Sequence, residues 1–149
     1  MRQTQEGNIY ANARITAGMT QARWAEMLGV SEETVRRYEA GLMMPVDDIV
    51  LSMADLSGLQ ILGTWHLRRK SVVAAGVLPA VQRLPLAQAV VQLLSAIRDF
   101  DDKHHADALL RIAADGRVAP EEEARFKDIV RDLHPLIAAA LQIDYAEKG

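Results

Sequence analysis

The sequence predicts an all-α protein. Half of its 149 residues are hydrophobic and only 5% are aromatic, so the core must be built from aliphatic side chains and methionine. Apolar residues recur at intervals of three and four, which is the period of an amphipathic helix. Only 9 glycines and 5 prolines interrupt this pattern, and the composition therefore favours helices throughout.

Composition also excludes several classes of site and location. The chain has no cysteine, which excludes disulfides, thiolate metal sites and cysteine nucleophiles. The first twenty residues lack the apolar run of a signal peptide, and no later stretch reaches 18 uncharged apolar residues. We therefore expect a cytoplasmic protein with no membrane span.

The net charge of −3 is unevenly distributed. Residues 1–70 contain eight basic and eight acidic side chains, which leaves 17 − 8 = 9 basic and 20 − 8 = 12 acidic side chains in residues 71–149. The first part is thus electrically neutral, whereas a domain dedicated to nucleic-acid binding usually carries a basic excess.

Capping residues divide the first part into four or five short helices. Thr20 and Ser31 are good helix N-caps, and Gly29 and Gly41 are typical of helix ends. Pro45 precedes a fourth helix, and a fifth is predicted over Leu59 to Leu67, before the basic cluster Arg68-Arg69-Lys70.

The second and third of these helices are predicted to pack against each other across a tight turn. Their inward residues are apolar: Trp24, Ala25 and Leu28 on one helix, Val35 and Tyr38 on the other. The outward face of the third helix is polar and consists of Glu32, Glu33, Thr34, Arg36 and Arg37.

The run from Met19 to Gly41, MTQARWAEMLGVSEETVRRYEAG, resembles the Cro/C1-type (XRE-family) helix-turn-helix. The resemblance includes the Thr-Gln pair, the Ala–Leu–Gly–Val–Ser frame, the aromatic-Glu-x-Gly ending and Pro45, while Trp24 stands where the family often has leucine. It covers Ile9 to Leu67 and implies a lambda-repressor-like five-helix DNA-binding domain.

The resemblance also assigns roles to individual residues. It places the helix after Ser31 in the major groove of DNA. The residues implied to contact DNA are Gln21 at the phosphate backbone and Glu32, Glu33 and Arg37 at bases. It further implies a structural ion pair between Arg14 and Glu39.

Physical chemistry supports some of these roles and leaves others open. Arg37 can bond bidentately to guanine, and Thr34 can contact phosphate or a thymine methyl. Arg36 is as suitable for phosphate as for a base. Glu32 and Glu33 can accept from cytosine, but they equally suit the positive end of the helix dipole. The cluster Arg68-Arg69-Lys70 is interpreted as a solvated helix end, with DNA contact as the alternative.

Residues 71–149 are predicted to form a second helical region, after a packed connector over 71–85. Two long helices, joined by a short turn, imply an antiparallel hairpin, and two hairpins can assemble as a four-helix bundle. The apolar seam runs through Leu86, Val90, Leu93, Ile97 and Phe100 on one helix and through Phe126, Val130, Leu133, Ile137 and Leu141 on the other. His104-His105 is interpreted as a solvated break and not as a metal site, and no cofactor is expected.

These patterns predict a bacterial or prophage transcriptional regulator with a DNA-binding domain over 1–70 and a helical hairpin over 71–149. We expect a repressor that binds double-stranded DNA as a homodimer on an inverted-repeat operator. The hairpin supplies the dimer contact or binds another protein. The alternatives are a protein-interaction adaptor or an antitoxin-like regulator with weak DNA binding. No residue constellation suits catalysis, so we do not expect an enzyme.

Overall fold

The computed structural model describes residues 7–149, and in this range the chain contains no β-strand. The prediction of an all-α protein is confirmed. The chain divides into two compact units, one ending at Arg83 and the other extending from Leu84 to Gly149. No helix in the described range is long and apolar enough to cross a membrane.

The first unit contains six helices within the described residues. They are α1 (Ile9–Thr16), α2 (Gln21–Leu28), α3 (Glu32–Glu39), α4 (Asp47–Ser57), α5 (Ile61–Lys70) and α6 (Val72–Val77). The first three begin at side chains that accept backbone N–H groups, namely Asn8, Thr20 and Ser31. Such caps satisfy donors that a helix terminus leaves without a partner.

Aliphatic and aromatic side chains from most of these helices meet in one core. Its largest fully buried members are Trp24, Met53, Leu59, Ile61 and Leu62. Because α2, α4 and α5 all contribute to this core, the short α2–α3 pair is held by tertiary packing, which is what stabilises most helices of only eight residues.

The end of the first unit differs from the prediction. The fifth helix extends to Lys70, and the connector predicted over 71–85 contains α6. Arg68 is not solvated as predicted, because its guanidinium donates to the carbonyls of Ala75 and Leu78. The indole N–H of Trp65 donates to the Val81 carbonyl at 3.0 Å, so the connector packs against α5 through polar as well as apolar contacts.

The second unit contains two long helices with a short one between them. They are α7 (Leu86–Asp102), α8 (His105–Ile112) and α9 (Glu123–Asp144), with a 3-10 turn over Ala113–Asp115. Gln142 donates to Gln92 and Lys103 bonds to Asp132. Residue numbers rise on one helix as they fall on the other, so α7 and α9 are antiparallel.

The predicted apolar seam is wrong in its details. In α7 the only buried residue is Ala89, and the seam residues Leu86, Val90 and Ile97 are exposed. In α9, Val130 and Ile137 are exposed as well. The buried residues are instead Ala89, which packs with Leu84 and Ala146, and Ile129, which packs with Ala108 and Ile112 of α8.

The interpretation of His105 as part of a solvated break is also wrong, because its side chain is buried. The chain turns at His104, which has a positive φ of 56°, and α8 then begins at His105. The His105 ring is 1% exposed and packs edge-on against Phe100 at 5.1 Å between ring centroids. Its Nε2 lies 2.8 Å from Asp132 Oδ2, and the pair links α8 to α9.

This contact makes the stability of the second unit depend on pH. Hydrogen bonds first from His105 and then from Lys103 lower the pKa of Asp132 from 3.8 to about 2. A lowered carboxylate pKa stabilises the fold above the unfolded value, and that contribution is lost as pH falls through the folded value. The sensitive window therefore lies between about pH 4 and about pH 2.

We expect the stability of the Asp132→Asn variant to change much less across this pH window than the stability of the parent chain. The measurement is urea unfolding at about pH 5 and about pH 2.5, monitored through the NMR signals of α9 residues. The parent chain should lose more stability between these two pH values than the variant. Equal losses would show that Asp132 does not carry the acid sensitivity.

Candidate nucleic-acid interface

Helices α2 and α3 are joined by a turn whose geometry the sequence specifies locally. Gly29 adopts the left-handed conformation, with φ of 69°, and its N–H bonds back into α2. Ser31 then accepts from the N–H of Thr34 at 3.0 Å. A residue with a Cβ is strained at the φ of Gly29, so this turn depends on glycine.

The inward faces of α2 and α3 are buried as predicted. Trp24 is fully buried, Ala25 and Leu28 lie beside it in α2, and Val35 and Tyr38 are buried in α3. The carbonyl of Tyr38 accepts from Asn8 Nδ2 at 2.8 Å, which ties the end of α3 to the start of α1. This bond holds the C-terminal end of α3 against α1.

The partners Arg14 and Glu39 form an ion pair that connects α1 to the end of α3. Arg14 Nε lies 2.6 Å from Glu39 Oε1, and Nη2 lies 3.1 Å from Oε2, so the contact is bidentate. Both side chains are less than one-fifth exposed. The hydrogen bond to Glu39 raises the pKa of Arg14, which keeps the guanidinium charged.

Gln21 is drawn into the same network. Its Nε2 donates to Glu39 Oε2 at 2.8 Å, and Arg14 Nη1 donates to the Met19 carbonyl at 2.9 Å. Glu39 thus receives bonds from side chains of two helices. The structure places Gln21 at the first residue of α2, where its amide is oriented by Glu39.

The outward face of α3 carries two arginines in different surroundings. Arg36 lies 2.7 Å from Glu32 and 3.3 Å from Glu33, its neighbours one helical turn earlier. Arg37 is exposed, and within residues 7–149 it makes no side-chain hydrogen bond or ion pair. Arg37 is thus the arginine of this face with its donors available to a ligand.

Thr34 lies at the start of the same face, beside the helix cap. Its hydroxyl is 2.8 Å from that of Ser31, so the two side chains form one polar group at the N-terminus of α3. The positive end of the helix dipole, together with backbone N–H groups, favours a negatively charged ligand such as phosphate there. Glu32 and Glu33 occupy the same first turn and oppose that attraction.

A series of hydrogen bonds that runs from buried Tyr10 and His66 to exposed Asp47 and Lys70 has no counterpart in the sequence-based reasoning. The His66 ring is 2% exposed; its Nδ1 lies 2.9 Å from the Tyr10 hydroxyl and its Nε2 lies 3.0 Å from Asp47. Asp47 also bonds Lys70 at 2.6 Å. Hydrogen bonds, first from Lys70 and then from His66, lower the pKa of Asp47.

These hydrogen bonds connect α1, α4 and α5. The side chains that they join are separated by up to 56 residues in sequence, so no local spacing of residues predicts their contact. Lys70 is bonded to Asp47, and Arg68 is bonded to two backbone carbonyls. Of the basic cluster at the end of α5, Arg69 alone is exposed without a side-chain hydrogen bond or ion pair in the described part of the chain.

Comparison with known families assigns this unit. Residues 11–60 match the family model described as Helix-turn-helix. No significant match is found among the curated proteins or among the solved structures. The matched range contains the complete α2–turn–α3 pair, with its capped helices, left-handed glycine and buried inward faces. Residues 11–60 therefore form a Cro/C1-type (XRE-family) helix-turn-helix domain, the DNA-binding domain of a transcription regulator.

Proposed function

We propose that the protein is a repressor that binds an inverted-repeat DNA operator as a homodimer, with α3 in the major groove. The observation that carries the proposal is the outward face of α3, where Arg37 is exposed with free donors on a helix fixed by Asn8 and the Arg14–Glu39 pair. A rigid helix that presents a free arginine suits bidentate recognition of guanine.

The polar residues around Arg37 have complementary roles in this proposal. Thr34 and Gln21 lie at the N-termini of α3 and α2, and we assign them to the phosphate backbone. Arg36 contacts phosphate or a base after exchanging its bonds to Glu32 and Glu33. The two glutamates accept from cytosine or disfavour other base pairs by repulsion.

The charge balance makes a second copy necessary. Residues 1–70 carry eight basic and eight acidic side chains, so one copy gains little from the phosphate charge that dominates nonspecific affinity. Two copies on adjacent half-sites, one helical turn apart, add their base contacts. Tight binding is therefore expected only for the dimer.

The test is selection of bound sequences from a random duplex library with the full-length chain. The expected result is an enriched inverted repeat, whose half-sites lie about 10 base pairs apart or a multiple of that distance. Enrichment of a single half-site would contradict the dimeric part of the proposal. Absence of any enriched sequence would contradict DNA recognition itself.

A protein-interaction adaptor is the second candidate, and one observation favours it. Arg36 is neutralised by Glu32 and Glu33 on the face that should meet DNA. In an adaptor, this face would contact a protein and not a duplex. The two candidates differ in the same selection experiment, because an adaptor enriches no sequence.

A further inference from the structure

A cavity of about 250 Å³, called here the α7/α9 cavity, lies between α7 and α9 in the second unit. At one end of it Gln142 of α9 donates to Gln92 of α7. At the other end Lys103 bonds to Asp132. Lys103 follows Gln92 by 11 residues, which corresponds to about 16 Å along the helix axis. The two helices are therefore held together at both ends of an unfilled space.

One face of α7 lines the α7/α9 cavity and presents polar groups to it. The lining residues follow the helical spacing of three and four, and they are Gln92, Ser95, Ala96, Asp99, Phe100 and Lys103. Ser95 and Asp99 are exposed, so a molecule in solution can reach them. Neither side chain makes a hydrogen bond or an ion pair with another described residue. Both are therefore available to a ligand.

The acidic side chains at the α7/α9 cavity have unused acceptor atoms. Asp132 Oδ2 accepts from His105 at 2.8 Å and from Lys103 at 2.9 Å. Asp132 Oδ1 is 3.6 Å from Arg131 Nε, which is too far for a hydrogen bond. Asp99 precedes Lys103 by one helical turn, which brings its carboxylate towards the same end of the cavity. With two aspartates and one lysine, the lining has a formal charge of −1, which one positive charge on a ligand would balance.

The α9 side of the cavity adds apolar surface and a further acceptor. Pro135 lines the cavity from inside α9. Because proline has no backbone N–H, the Arg131 carbonyl lacks its usual donor four residues later in the helix. Phe100 and Ala96 face the cavity from α7. The lining thus combines acceptors for a donor group with apolar side chains that suit a hydrocarbon body.

An organic cation fits this lining better than a metal ion does. No three histidine or acidic side chains within residues 7–149 come together as metal ligands. The volume of about 250 Å³ corresponds to roughly eight water molecules, which is more space than a single ion fills. The space and the apolar lining instead suit an ammonium group attached to a small apolar body.

We propose that the α7/α9 cavity is a binding site for a small organic monocation, namely an amine with an apolar or aromatic body. The ammonium group donates to Asp99 and to Asp132 Oδ1, and the body packs against Phe100 and Pro135. Hydrogen bonds between an ammonium and a carboxylate are about twice as strong as neutral ones, so the charge contributes much of the affinity. This inference goes beyond the proposed function, because it assigns a ligand to the second unit and does not depend on DNA.

The first experiment is an NMR titration of the isotope-labelled full-length chain with phenethylamine, at neutral pH and constant ionic strength. The backbone amide signals of Ser95, Asp99 and Asp132 should shift to saturation, with a dissociation constant of about 1 mM or below. The signals of α2 and α3 should stay in place. Shifts that fail to saturate by about 10 mM probe, or that saturate only outside the second unit, would overturn the inference.

Two further probes test whether the cavity recognises positive charge. Hydrocinnamate carries a carboxylate on the same aromatic body, and phenethyl alcohol carries a neutral hydroxyl. Each should bind at least about tenfold more weakly than phenethylamine, because neither makes a charge-assisted bond to the aspartates. Equal affinity for either probe would overturn the assignment of a cationic ligand.

A pair of matched variants tests the role of Asp99. Asp99→Asn should raise the dissociation constant for phenethylamine about tenfold or more, because a hydrogen bond to a charged group is weakened. The control is Asp101→Asn, which removes the same charge from an exposed position of α7 outside the cavity lining and should change the constant by less than about twofold. Both positions are exposed, so neither variant should unfold the chain. Equal effects of the two variants, or no effect of Asp99→Asn, would overturn the inference.

These outcomes are separate from DNA recognition. Saturable binding of phenethylamine by a chain that enriches no DNA sequence would support the α7/α9 cavity as a ligand site and contradict the proposed function. Enrichment of a DNA sequence by a chain that does not bind phenethylamine would overturn the ligand site and leave DNA recognition by α3 intact.

Discussion

Replacing Trp24 with alanine is expected to lower the free energy of unfolding of the first unit by about 3–5 kcal/mol. Trp24 is fully buried in α2, and its removal leaves a large cavity between the helices that fix the position of α3. Its indole N–H is buried and has no hydrogen-bond partner among the described residues. Losing this unsatisfied donor offsets part of the cost, which places the effect toward the lower end of the range.

Trp65 makes the measurement direct, since it lies in the same unit and is also buried. Its fluorescence follows urea unfolding of the Trp24→Ala variant, and the midpoint gives the change in stability. Two controls bracket the effect. Met27→Ala removes an exposed side chain from the same helix and should change stability by less than about 0.5 kcal/mol. Trp24→Phe keeps most of the volume, removes the unsatisfied N–H and should cost less than half as much as alanine.

A loss for Trp24→Ala no larger than that for Met27→Ala would contradict the packing described here. It would mean that α2 is held mainly by its caps and by the bond from Gln21 to Glu39. The same outcome would show that the stability of the helix-turn-helix does not depend on its hydrophobic core.

Replacing Arg37 with alanine is expected to weaken operator binding by roughly 10-fold to 100-fold for each half-site, the usual effect of losing one bidentate base contact. Arg37 is exposed with free donors on α3, whereas Arg36 is bonded to Glu32 and Glu33. Because the proposed contact is to a base, the variant should also relax sequence preference at one position of the half-site. Repeating the library selection with Arg37→Ala measures both effects.

The matched control is Arg111→Ala, which removes the same charge from an exposed position in α8. It should leave both affinity and sequence preference unchanged. If Arg37→Ala weakened all sequences equally and reduced the salt dependence of binding, Arg37 would be a phosphate contact and not a base reader. If it changed nothing, the adaptor function would be favoured.

The sequence was sufficient for the helix-turn-helix because its signals are local. Thr20 and Ser31 cap the helices that follow them, and Gly29 takes the positive φ that the turn requires. The inward residues follow from helical spacing within two turns. Each of these features depends on neighbours fewer than ten residues away, so the pattern alone determines it.

The second unit was predicted less well for a related reason. Helical spacing identified α7 and α9 as amphipathic, but α7 carries two adjacent apolar stripes. Spacing cannot decide which stripe faces the partner helix. Tertiary structure places Ala89 inside, where it packs with Leu84 and Ala146. That choice leaves the larger side chains such as Leu94 and Ile97 exposed.

Polar side chains show the same division between local and distant causes. The pairing of Arg36 with Glu32 and Glu33 spans one helical turn, whereas the contact of His66 with Tyr10 spans 56 residues. His105 likewise depends on Asp132, which is 27 residues away. The sequence by itself determined the helices, their caps and the turn that presents α3, because those depend on short-range backbone chemistry. Only the tertiary structure decided which histidines are buried, which arginine is free and which apolar stripe is exposed, because each of these depends on contacts between residues far apart in the chain.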